Sequence, residues 1–116
     1  MIARCPLDEG SLTGKITPAT SFPDGDWRNG YFRGNRKREV VRHVEPLRFL
    51  LHDGVETLAA AALRFCLSDA RVSTVIAGMR GTGHVEANCA VSDGKLLPLD
   101  DIKVLRSHVW PHNFCD

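Results

Sequence analysis

The run Val72-Ser73-Thr74-Val75-Ile76-Ala77, followed by Gly78-Met79-Arg80-Gly81-Thr82-Gly83 and then His84 to Ala90, decides the fold class. Its β-branched opening reads as a strand buried on both faces. The three glycines that follow let the backbone approach a ligand closely, and a short helix from His84 to Ala90 turns its unpaired N–H groups toward the same place. Such a geometry suits a phosphate. Arg80 and His84 add side-chain donors on that side, as the 2′-phosphate of a nucleotide would require. The spacing is neither G-x-G-x-x-G nor a P-loop, so on local evidence an ordinary strand-to-helix turn stands beside the phosphate reading.

Upstream of this stretch, Ser68-Asp69-Ala70-Arg71 reads as a tight turn. Before it, Val55 to Leu67 is predicted helical, with Leu58, Ala61, Ala62, Phe65 and Cys66 as the buried stripe. Val40, Val41, Val44, Leu47 and Leu51 recur at helical spacing from Arg36 onward, and Pro46 should kink or end the regular part. Between Gly14 and Asn35 lie Gly and Pro breakers interleaved with Phe22, Trp27, Tyr31 and Phe32. Four aromatics in so long a loop favour a lid that packs. At the start, Met1 to Cys5 is a short apolar stretch stopped by Pro6, and downstream Leu99 to Val109 forms a last helix with Asp100 and Asp101 in its first turn. The pattern is α/β, with two short strands near Ile2 to Cys5 and Val72 to Ala77 and three or four helices.

The 116 residues suffice for one modest domain with a real core. Apolar residues at 43% and charged residues at 25% exclude disorder, and no apolar run is long enough to span a bilayer. With 15 Lys plus Arg against 14 Asp plus Glu, no bulk field draws the chain to nucleic acid or anionic lipid. Cys5, Cys66, Cys89 and Cys115 have no C-x-x-C spacing and no secretory signal pattern precedes them, so they read as reduced thiols of a cytoplasmic protein. Cys66 and Cys89 fall inside apolar helical patterns as small hydrophobes. His108, His112 and Cys115 offer metal-ligand chemistry, but Pro111 interrupts the helix that would align the histidines. A packed C-terminal tail is the preferred reading, with no metal.

Pro6-Leu7-Asp8-Glu9-Gly10-Ser11-Leu12-Thr13-Gly14 follows the opening strand directly. Gly10 and Gly14 permit tight turns, while Ser11 and Thr13 offer hydroxyls and backbone donors that could wrap a pyrophosphate. Asp8 and Glu9 are adjacent, point opposite ways in an extended segment, and make a poor acid/base pair.

Taken together, four pieces resemble the C-terminal part of the aldo-keto reductases. They are Pro6-Leu7-x-x-Gly10-x-Leu12-Thr13-Gly14 after a strand, Ala61-x-Leu63-Arg64-Phe65-Cys66-Leu67 on a helix, Val75-Ile76-x-Gly78-Met79-Arg80, and His84-Val85-x-x-Asn88. The order is right across nearly the whole chain, including the closing Trp110-x-x-Asn113-Phe114. The resemblance implies the seventh and eighth strands of a (β/α)8 TIM barrel, parallel neighbours joined by a right-handed crossover, in a single domain over residues 1–116 that binds NADP(H). Carried over, Pro6, Leu7, Gly10, Ser11 and Leu12 form the pyrophosphate loop, and Gly78, Met79, Arg80, His84 and Asn88 the adenosine end. Arg4 falls where many members stack an aromatic residue on the nicotinamide, a place a planar guanidinium can also take. The chain departs from the family where His84 replaces the usual Arg or Gln and Ala87 replaces a Glu.

A complete barrel needs about 250 residues. The family's catalytic Asp, Tyr, Lys and His belong to its first half, and nothing in this chain corresponds to them. Tyr31, the only tyrosine, sits in the lid region and is no candidate proton donor. Three functions fit: a cofactor-binding module of an NADP(H)-dependent oxidoreductase, inactive alone; one part of a split carbonyl reductase completed by an N-terminal barrel partner; or an oligomeric structural protein with a vestigial nucleotide site. Unpaired strand edges make a homo-oligomer burying Ile2, Val75 and Ile76 the expected state where no barrel partner is present.

Overall fold

In the computed structural model of the protein, residues 1–115 are described. Two strands, β1 (Ile2–Arg4) and β2 (Thr74–Ile76), pair in parallel with Ile2 opposite Thr74, Ala3 opposite Val75 and Arg4 opposite Ile76. Between them run α1 (Arg28–Tyr31), α2 (Arg36–Val44) and α3 (Leu58–Leu67); α4 (Thr82–Cys89) and α5 (Leu99–Leu105) follow β2. The α/β architecture and parallel crossover are those expected. Single-turn α1 is the helical segment that the breaker-rich sequence hid.

The strands are shorter than the apolar runs, and they are not buried on both faces. Ala3 and Val75 point one way and are half-buried, consistent with α3 packed on β2. Ile2, Arg4, Thr74 and Ile76 share the opposite face and are exposed, Ile2 at 61% and Ile76 at 58%. A β-branched run announces strands meant for two-sided burial; the second cover would be the inner face of a closed sheet, and only two strands are present among the described residues.

Val40 and Val44 are buried as the helical spacing of α2 requires, and the chain tightens to a 3-10 helix over Glu45–Leu50 where Pro46 lacks an N–H. Thr57 caps α3, its hydroxyl accepting from the Ala60 N–H at 3.1 Å. The buried positions of α3 are Leu58, Ala61, Leu63 and Arg64, whereas the expected Phe65 is half exposed. A polar interaction turned the helix. The buried Arg64 guanidinium grips both oxygens of Asp93, at 2.7 and 3.0 Å, and also the Lys95 carbonyl, which fastens residues 93–95 to α3. That guanidinium, with the Lys95 N–H, holds the Asp93 carboxyl well below the usual carboxylate range.

The main core collects Tyr31, Phe32, Val40, Val44, Leu58 and Phe114. Residues 15–35 therefore form the packed segment foreseen, with Phe22 stacked on Phe32 at 5.6 Å, while Trp27 remains exposed. Gly14 ends the preceding turn at φ 71°, and a methyl group there would meet Leu58 Cδ1 at 2.8 Å. A smaller core of Leu50, Val55, Ala61 and Leu97 packs near α5. Cys66 is half-buried, and burial pushes its thiol up, but Cys89 is exposed because α4 buries none of its side chains. No described helix is long and apolar enough to cross a membrane.

Candidate functional site

Parallel pairing sends the chain out of β1 and β2 at the same end, so Arg4 and Ile76 are register partners and the loops 5–14 and 77–83 leave side by side. In α/β sheets that carboxyl end is where ligands bind. No hydrogen bond joins the two loops among the described residues, so their common origin, the strand pair, sets their relation.

The first loop is unusually contorted. Cys5, Asp8 and Glu9 have φ of 51°, 47° and 55°, left-handed values that non-glycine residues rarely adopt, and Gly10 follows at 99°. The Leu7 carbonyl accepts from the N–H groups of Gly10 and Leu12, while the Thr13 hydroxyl donates to the Gly10 carbonyl at 2.6 Å. Pro6 and Ser11 are buried and Leu12 packs on the main core. Their side chains anchor the loop, so a ligand would meet backbone here; the hydroxyls of Ser11 and Thr13 do not wrap it. Ser11 Oγ is buried without a partner.

At the second loop Gly78, Met79 and Arg80 are exposed, and Gly81 starts α4 with no side-chain cap. The amides of Thr82 and Gly83 have no acceptor within the helix, while those of His84 and Val85 donate to the Gly81 carbonyl. Arg80 makes no ion pair among the described residues, and its charge is felt by the Asp26 carboxylate of the packed segment. Asp26 is itself held at about 2, first by the Arg28 side chain and then by the Arg28 N–H. The Arg80 N–H donates to His84 Nδ1 at 3.3 Å, which leaves Nε2 of a neutral ring as the donor toward solvent. Asn88 donates its amide to the Gly78 carbonyl at 3.2 Å and so shapes the loop. Arg4 stands exposed on the open sheet face between the two loops' origins.

Sequence reading missed a cluster beside the first loop. Tyr31 Oη donates to Asp8 Oδ1 at 2.9 Å, and His112 Nε2 meets Asp8 Oδ2 at 3.1 Å. Burial first, then the Asp8 carboxylate, holds the Tyr31 phenol well above its ordinary value. Tyr31 is thus a core residue of the packed segment. Separations of 23 and 104 residues put this cluster beyond any local motif. His108 stacks on Phe49 and His112 on Trp110, so the tail packs as expected, and among the described residues no three His, Cys, Asp or Glu side chains gather to hold a metal.

No curated protein matches the chain. The model of the aldo/keto reductase family matches residues 1–109, from β1 through α5 and its 3-10 extension, leaving only the tail outside. A strand pair with both loops at its carboxyl end, matched over that length, places this chain in the aldo/keto reductase family, whose fold is the (β/α)8 barrel.

Proposed function

We propose that residues 1–116 act as one unit, the NADP(H)-binding end of an aldo/keto reductase-type oxidoreductase, without carbonyl-reducing activity of its own. The observation that carries this reading is the parallel register, which starts both loops at one end of the sheet. The residues suit the cofactor: a helix start without a side-chain cap, Arg80 with no ion pair among the described residues, and a histidine with Nε2 outward make an open anion site. Arg80 and His84 would hold the 2′-phosphate, Gly78, Met79 and Asn88 the adenosine, and the backbone of Pro6, Leu7, Gly10, Ser11 and Leu12 the pyrophosphate. Arg4 would lie under the nicotinamide.

The open face of Ile2, Arg4, Thr74 and Ile76 favours a further reading, in which another chain covers it: an N-terminal barrel partner or a second copy. Sedimentation of the chain, alone and with such a partner, tests that part. A clean monomer at high micromolar concentration that ignores the partner would contradict it.

Thermal unfolding with added nucleotide tests the cofactor. A ligand that binds only the native state raises its apparent stability. NADPH is expected to raise Tm more than NADH, and Arg80→Ala to narrow the difference. Equal, negligible shifts with both would remove the proposal.

A further inference from the structure

The loop after β1 is held in its left-handed conformation from outside. Asp8, at φ 47°, has both carboxylate oxygens engaged by residues remote in sequence: Tyr31 from the packed segment and His112 from the tail beyond the family match. Strained backbone persists where its surroundings over-determine it. The tail itself is well anchored. Phe114 is buried in the main core, Arg36 donates to its carbonyl at 2.7 Å, and Trp110 is sandwiched between His43 at 4.1 Å and His112 at 3.9 Å.

The His112 backbone lies at the surface, but its side chain is only 20% exposed. Its two ring nitrogens face two acceptors, the Trp110 carbonyl at 2.9 Å from Nδ1 and Asp8 Oδ2 at 3.1 Å from Nε2. Through Nε2 the ring reaches the loop and through Nδ1 its own tail, so it ties the two together. We propose that His112 and Tyr31 are positioning residues that act through Asp8 to hold the 5–14 loop in its nucleotide-binding shape. The charged and titratable groups around this latch are Asp8 on the loop, Tyr31 on α1, His43 across Trp110, Arg36 over the Phe114 ring, and Glu9 and Cys115, whose charges reach Tyr31. Asp8 supplies the negative charge in direct contact with His112.

The nucleotide role rests on the proposed function; the latch does not. Amide hydrogen exchange on the full chain, corrected for intrinsic rates, is compared between wild type, His112→Ala, Asp8→Ala and the double variant. Expected is a loss of protection at residues 8–13 of about tenfold in His112→Ala, with α3 protection unchanged. The double variant should lose no more than Asp8→Ala alone. Unchanged protection at 8–13 or an equal loss across α3 would overturn the latch. NADPH titration of the same samples separates the two ideas: weaker binding in His112→Ala supports the positioning role, unaltered binding overturns it, and no binding by wild type refutes the cofactor reading while the exchange result still decides the latch.

Discussion

Phe32→Ala is expected to lower the unfolding free energy by about 3–5 kcal/mol. Phe32 is 1% exposed and lies at the meeting point of the aromatic core, stacked on Phe22 and edge-on to Tyr31 at 4.8 Å. Its removal leaves a cavity that Val40, Val44 and Leu58 on two different helices cannot close together. For a chain of this size the loss amounts to roughly 10 °C or more in Tm, and a large share of a domain's total stability of about 5–15 kcal/mol. Trp27→Ala removes a larger ring from an exposed position and should cost less than about 1 kcal/mol. Urea melts of the two variants check the pair. Equal losses would mean that residues 15–35 do not pack as described.

With NADPH and a panel of aldehydes and ketones, the chain alone is expected to give no turnover. Hydride transfer requires a positioned acid at the carbonyl oxygen, a contribution of roughly 10²–10⁴-fold, and a wall that orients the substrate. Tyr31 cannot serve. Its ring is buried, its hydroxyl proton is given to Asp8, and both circumstances hold the phenol well above its ordinary value. Among the described residues no lysine acts on its hydroxyl, Lys37 donating to the Thr20 carbonyl and Lys103 pairing with Asp100 at 3.4 Å. Following NADPH absorbance with the chain alone, and then with an N-terminal barrel partner, tests the expectation. Turnover by the chain alone, lost in Tyr31→Phe, would contradict it.

Much of the fold was legible because local chemistry and fold agreed. Pro46 ends α2 where its missing N–H demands, and the Gly-rich segment after Ile76 opens a helix as its composition requires. The strands themselves misled about burial, since β-branched residues record two-sided cover that two strands cannot give. Phe65 was misplaced because a buried Arg64, drawn inward by Asp93 29 residues away, set the rotation of α3. At the site, glycine spacing and the basic pair Arg80 and His84 could be read directly. That Ser11 anchors the loop from inside could not, because alternation in an extended segment does not describe a left-handed turn at Asp8 and Glu9. The Tyr31–Asp8–His112 cluster depends on tertiary contact across nearly the whole chain, and no periodicity carries it.

Backbone amide NMR during NADPH titration addresses the central claim most directly, that two loops from neighbouring parallel strands form one nucleotide site. The amides of residues 7–12 and those of residues 78–84 should shift together along a single binding curve, with Arg80→Ala weakening both sets. Shifts confined to one loop, two curves of different affinity, or no shift at all would contradict it.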